Sequence, residues 1–187
     1  AVGDVLSTVS QYMVAEHQKP THTDVSNEIL NRVCESYLRQ LEREEKVYSK
    51  IPTEPHAIII WQCWFQGEEH APDIVKKCID SVRTHTSNFK HVIITDANMH
   101  EYVTLPDFIL EKFNKGIISR THLSDILRCH LLCSHGGIWI DATTLLSGPL
   151  PQQILDADFF VFQHPTKTSI SNWFIASKPN HPLITMI

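Results

Sequence analysis

The chain has no apolar run long enough to cross a bilayer. Its longest unbroken stretch, residues 57–61, is five residues against the roughly 18 that a span needs. It has no excess of positive charge: 16 Lys and Arg stand against 21 Asp and Glu, a net −5. No field exists to hold a long nucleic acid, although a local basic pocket for a diphosphate is still allowed. No basic segment followed by an apolar run opens the sequence, so no signal peptide is read there. The five cysteines are odd in number and form no Cys-x-x-Cys, which argues against a disulfide framework and fits reduced thiols in the cytosol. Twelve histidines yield neither His-Glu-x-x-His nor a zinc-finger spacing. Cys129, His130 and Cys133 share one helical turn, but a closed zinc site needs four ligands and these positions read as helix core. No Gly-x-Gly-x-x-Gly follows a strand, which weighs against a dinucleotide oxidoreductase.

What remains is a globular composition, 42% hydrophobic and 20% charged over 187 residues, enough for one domain and a short extra module. Residues 1–50 carry an amphipathic helix, capped at Asp24 or Ser26, with Ile29, Val33, Tyr37 and Leu41 on its apolar stripe. Prolines 52 and 55 break the chain, and residues 56–61 then read as a buried strand. A helix from Pro72 sets Ile74, Val75, Cys78 and Val82 on one face. A strand follows at 91–95, ending at Asp96, then short helices near 98–102 and 106–115 and a strong helix at 119–134. Gly136 and Gly137 stop that helix. A strand at 138–140 ends on Asp141, and further strands fall at 159–162 and 173–176. Strands alternating with helices predict an α/β domain over residues 51–187 with a largely parallel sheet. Ligands bind such sheets at the carboxyl ends of the strands.

The chemistry concentrates in SRTHLSDILRCHLLCSHGGIWIDATTL, residues 119–145. Asp125 and Arg128, three apart on a helix, share a face. The glycine pair then feeds a short strand that delivers Asp141 to its open end. A carboxylate there can hold a divalent cation or a ribose hydroxyl, and Arg128 can donate to a phosphate or sugar oxygen. Spacing alone equally allows an ordinary surface ion pair and a loop-capping aspartate.

These segments together carry a resemblance. IPTEPHAIIIWQCWFQG, the pattern around Cys78-Ile79-Asp80-Ser81, ISRTHLSDILR and GGIWIDAT, in that order, resemble the capsular polysaccharide synthesis proteins. More distantly they are similar to the catalytic domains of clostridial glucosylating toxins. The resemblance runs from about Ile51 to the end. It implies a GT-A glycosyltransferase fold, a nucleotide-sugar donor with a UDP-sugar as the first guess, and a glycan or lipid-linked saccharide acceptor. It also implies retention of anomeric configuration. By this resemblance Trp64 stacks on the donor base, with core packing the competing reading, and Asp125 and Arg128 grip the sugar and diphosphate. Asp141 is the first acid of the Asp-x-Asp motif, and the turn at Gly137 adds backbone amides for phosphate. The motif's third position is Thr143. A hydroxyl is a weaker, uncharged ligand for the Mn²⁺ or Mg²⁺ that Asp141 and Thr143 would share.

The implied location is cytoplasmic, with peripheral association at the inner membrane face left open and no transmembrane segment. The competing function is a degenerate nucleotide-sugar-binding module without turnover, motivated by Thr143. The chain stops in what reads as the start of a helix after Pro182, so a shortened carboxyl end is also expected.

Overall fold

The computed structural model describes residues 58–163 and 170–185. The expected amino-terminal helix and the proline break lie outside the described residues. Five strands form one sheet in the order β2-β1-β3-β5-β4. These are β1 (Ile59–Cys63), β2 (Lys90–Ile94), β3 (Gly137–Ile140), β4 (Phe159–Gln163) and β5 (Ile170–Ser177). The helices are α1 (Asp73–His85), α2 (Met99–Tyr102), α3 (Asp107–Asn114), α4 (Arg120–His135), α5 (Gln152–Leu155) and α6 (Pro182–Thr185). None of the described helices is long and apolar enough to cross a membrane.

The fold is α/β with a largely parallel sheet, as expected: four strands run in one direction and β5 alone runs against them. Strand β1 pairs in parallel with β2 and β3, whereas β5 pairs antiparallel with β3 and β4. The first half follows the helix crossovers that parallel strands require. In the second half only six residues separate β4 from β5, too few for a parallel crossover, so these two pair antiparallel and β5 lies between β4 and β3.

Strand β1 lies inside the sheet between β2 and β3, and its Ile60, Trp61 and Gln62 are all fully buried. Alternation sends Ile60 into a core with Val82 of α1, Ile154 of α5 and Phe174 of β5. Trp61 enters the opposite core with Leu123, Leu127 and Leu131 of α4, Trp139 and Ile175. The strand starts later than the sequence suggests and runs on through Gln62 and Cys63. Gln62 is accommodated because its side chain accepts from His91 Nε2 at 2.9 Å and donates to the Asp141 carbonyl at 3.4 Å. A buried amide so paired escapes the cost of an unsatisfied one.

Helix α1 buries Val75, Cys78, Ile79 and Val82, while Ile74 is 69% exposed, so Ile79 and not Ile74 completes its inner face. Helix α4 begins at Ser119, whose hydroxyl accepts from the His122 amide at 3.2 Å. Its Leu123, Leu127, Leu131 and Leu132 are all fully buried, each contributing roughly 1.5–3 kcal/mol. Gly136 closes it, with its amide on the Leu132 carbonyl at 2.9 Å.

Gly137 opens β3 at φ +104, and a Cβ there would lie 2.3 Å from the Ile59 carbonyl oxygen. A side chain therefore meets both backbone strain and the neighbouring strand. Gly137→Ala is expected to lower unfolding stability by about 2–4 kcal/mol, read by urea denaturation. An unchanged midpoint would show that β1 and β3 separate freely at this end.

Candidate functional site

Strand order reverses at β1: the chain passes to β2 on one side, then crosses to β3 on the other. The crevice between the carboxyl ends of β1 and β3 is thus a topological switch point, where α/β sheets take ligands. Trp64 leaves β1 there and Asp141 leaves β3.

The backbone of Asp141 is fixed three ways. Its amide donates to the Trp173 carbonyl at 2.8 Å, and its own carbonyl accepts from the Thr144 amide at 2.9 Å and from Gln62 Nε2 at 3.4 Å. Its Oδ1 accepts from the Trp139 indole at 2.7 Å and faces Arg128 Nη2 at 3.4 Å. Arg128 is buried, 4% exposed. Its Nη2 also pairs with Asp125 Oδ1 at 2.9 Å, its Nε donates to the Ser124 carbonyl at 3.4 Å, and its Nη1 donates to the Asn172 carbonyl. The guanidinium stands over the Trp139 ring, 4.9 Å from its centroid. Asn172 closes the group by donating to Asp125 Oδ1 at 3.1 Å.

Arg128 is a buried clamp: its Nε and Nη1 donate to backbone carbonyls, and its Nη2 is ion-paired with both Asp125 and Asp141, so its charge holds two carboxylates together. The side chains of Asp125 and Asp141 keep 38% and 32% exposure, so these two acids are what the crevice presents. Burial raises the Asp141 pKa above its ordinary value, with the Trp139 hydrogen bond and Arg128 opposing that rise. Cys63, at the same edge, is pushed up to about 12, chiefly by burial and then by Asp96, so it stays a thiol and is no nucleophile.

The structure distributes the other expected residues differently. Trp64 stands in the crevice, half-buried against the cluster of Ala71, Val75, Ile79 and Ala142. Its buried indole N–H has no hydrogen-bond partner among the described residues. Thr143 is exposed in the turn after Asp141, where its carbonyl accepts from the Cys78 thiol at 3.4 Å. Gly137 is not brought to the group. It starts the strand that Asp141 ends, four residues away, or roughly 13 Å along an extended chain. Its glycine serves close strand packing.

Four further residues complete the neighbourhood: Asp96, Arg120, Trp139 and Asn172. Asp96, after β2, receives both carboxylate contacts from Arg120 Nη1, at 3.0 and 2.7 Å, and Arg120 lies 5.3 Å from the Phe65 ring centroid. The strand-end position of Asp96 was legible; its pairing with Arg120 was not, because the two are 24 residues apart. Asn172 and Trp139 gave no sequence signal beyond lying in or near strands. Among the described residues no group of three or more His, Cys, Asp or Glu is arranged to hold a metal, and the four cysteines there are free.

Fold and site together define an α/β protein with a cluster of polar residues at the carboxyl ends of β1 and β3. The chain belongs to the capsular polysaccharide synthesis protein family, which matches residues 8–187. No curated protein matches it. Among solved structures it is similar to one titled PaToxG Glycosyltransferase, at 21% identity and a TM-score of 0.48. That similarity covers 81% of this chain, which spans 66% of the length of that structure.

Proposed function

We propose that the chain is a glycosyltransferase domain of GT-A type that takes a sugar from a nucleotide-activated donor to a glycan or lipid-linked saccharide acceptor. Family membership supports the capsular setting. The observation that carries the reading is the pair of half-exposed carboxylates, Asp125 and Asp141, clamped by buried Arg128 at the switch point. Carboxylates accept hydrogen bonds from sugar hydroxyls, and a preformed pair takes a hydroxyl-rich ring without reorganising.

Trp64 is the wall for the donor base. Its unpartnered N–H supplies one hydrogen bond to a base or ribose oxygen, beside whatever ring face the base covers. Asp141 and the Thr143 hydroxyl suit a Mn²⁺ or Mg²⁺ ion whose remaining ligands are diphosphate oxygens and water, since Mg²⁺ commonly takes only one or two carboxylates beside phosphates. Such an ion, when bound, offsets the charge that grows on the leaving diphosphate. The chain's own part is to hold the sugar on Asp125 and Asp141, to fix both through Arg128, Trp139 and Asn172, and to keep Cys63 a thiol. Asp125 and Asp141 are both engaged by Arg128 and hold the donor, so neither is left as the free nucleophile of a covalent double displacement, which favours front-face transfer with retention.

Donor binding is the first test. A UDP-sugar at about 100 times its dissociation constant should stabilise the fold by roughly 2.7 kcal/mol, an upward shift on the order of 5–10 °C at this chain length. The shift should need Mn²⁺ or Mg²⁺ and vanish with EDTA. If no nucleotide sugar in a broad panel moves the transition, the reading fails. With turnover in hand, NMR of the product's anomeric signal reads retention or inversion. Thr143 in place of an acid favours a second reading, a module that binds donor without turnover. A metal-independent shift with no nucleotide release would select it.

A further inference from the structure

Phe162 and Trp173 form a stacked aromatic pair near the carboxylates. Strands β4 and β5 run in register until Val161 meets Ile175, but Gln163 then meets Ile170. One β4 residue, Phe162, therefore spans an interval that takes four on β5, residues 171–174. This bulge breaks the alternation of side chains. Asn172 reaches Asp125 on the α4 side. Trp173 turns to the other side, where its ring lies 6.0 Å from that of Phe174 and stacks on Phe162 at 5.0 Å and 9°. Phe174 belongs to the core beneath α1 and α5, but Trp173 and Phe162 are each 37% exposed.

The pair is rigid, because Phe162 is held edge-on by Phe160 at 5.0 Å and by Phe174 at 5.2 Å. It also adjoins the site. The Trp173 carbonyl accepts from the Asp141 amide at 2.8 Å, which sets the two backbones one strand spacing apart, about 5 Å. Two rings offer at most a few hundred Å², well short of the roughly 800 Å² per partner of a stable protein interface. A small planar or ring-shaped ligand fits that area. The electron-rich indole face complements the slightly positive C–H face of a pyranose, while the sugar hydroxyls stay in water or reach the carboxylate side.

We propose that Trp173, backed by Phe162, is the platform on which a neutral pyranose ring of the acceptor glycan stacks, next to the donor held at Asp141. This rests on the transferase reading for its direction: Asn172 serves the carboxylates, and its neighbour Trp173 serves the incoming sugar. The preformed stack lowers the ordering cost of capturing a flexible chain.

The test uses the full chain and two probes kept apart. Cellotetraose and maltotetraose are titrated by saturation-transfer NMR and tryptophan fluorescence, and UDP is titrated separately with Mn²⁺. At least one oligosaccharide should bind. Trp173→Ala should weaken it by about 10-fold, Phe162→Ala by less, and Trp173→Phe, which keeps a ring, by no more than about 3-fold. UDP affinity should stay within about 2-fold throughout, which also shows that the variants are folded. Equal oligosaccharide binding by Trp173→Ala and the parent chain overturns the platform, as does failure of both oligosaccharides to bind the parent. Loss of UDP binding in every chain, the parent included, overturns the donor site instead, so the two failures are distinguishable.

Discussion

Arg128→Ala is expected to lower the melting temperature by about 5–15 °C and to abolish stabilisation by any nucleotide sugar. Arg128 is 4% exposed, and its guanidinium holds Asp125, Asp141 and two backbone carbonyls. Removing one member of a buried ion pair costs about 3–5 kcal/mol, because the charge left behind is uncompensated. Here the orphaned carboxylates are about one-third exposed, so water recovers part of that, leaving about 2–4 kcal/mol. At this chain length each kcal/mol moves the transition by about 2–4 °C. Arg128→Lys keeps the charge but not the planar fork, so it should fall between the parent chain and Arg128→Ala. Differential scanning calorimetry with and without donor reads both effects. A variant as stable as the parent, with its donor shift intact, would remove Arg128 from the centre of the site.

The second large effect separates stability from activity. Asp141→Asn should cut turnover by about 10²–10³ while leaving the fold at neutral pH as stable as before or slightly more so. Burial raises the folded-state pKa of Asp141 above the ordinary 3.8. Between those two values the folded chain holds a proton that the unfolded chain has released. Stability from this group is therefore present in full below the unfolded pKa and is lost as pH rises through the folded pKa. Asn has no proton to lose, so the difference between parent and variant should shift in favour of the variant as pH rises from about 4 to neutral. Urea denaturation across that range reads the sign. Donor-dependent stabilisation in the parent should move the other way, weakening as acid neutralises the carboxylate at a pH above the ordinary Asp range. A stability difference that shifts towards the parent with rising pH would mean that Arg128 and the Trp139 hydrogen bond outweigh burial.

Much of this was legible in local sequence because local physics decides it. The Ser119 cap, the leucine periodicity and the glycine stop place α4 to within a residue at each end. Three residues of helix put Asp125 and Arg128 on one face whatever surrounds them. A short apolar strand after the glycine pair delivers Asp141 to the sheet's edge. By the same logic the α/β class followed from alternation of the elements.

Other features were decided only when distant segments met. One strand of the five runs against the others because β5 inserts between β3 and β4, a choice between neighbours that no single strand encodes. Arg128 is a buried clamp because Asn172, 44 residues on, and Asp141 fold against it. The Gly136–Gly137 turn lies at the far end of the strand from Asp141, where Gly137 lets β1 and β3 approach closely. The bulge that turns Trp173 towards solvent comes from pairing with β4, not from its own residues. Sequence determined where the chain bends, which faces are apolar and which acids reach the sheet's edge, since those are set by neighbours within a helical turn or a strand. Tertiary structure decided which charges are buried together and which aromatics are left uncovered, because burial belongs to the whole assembly of elements.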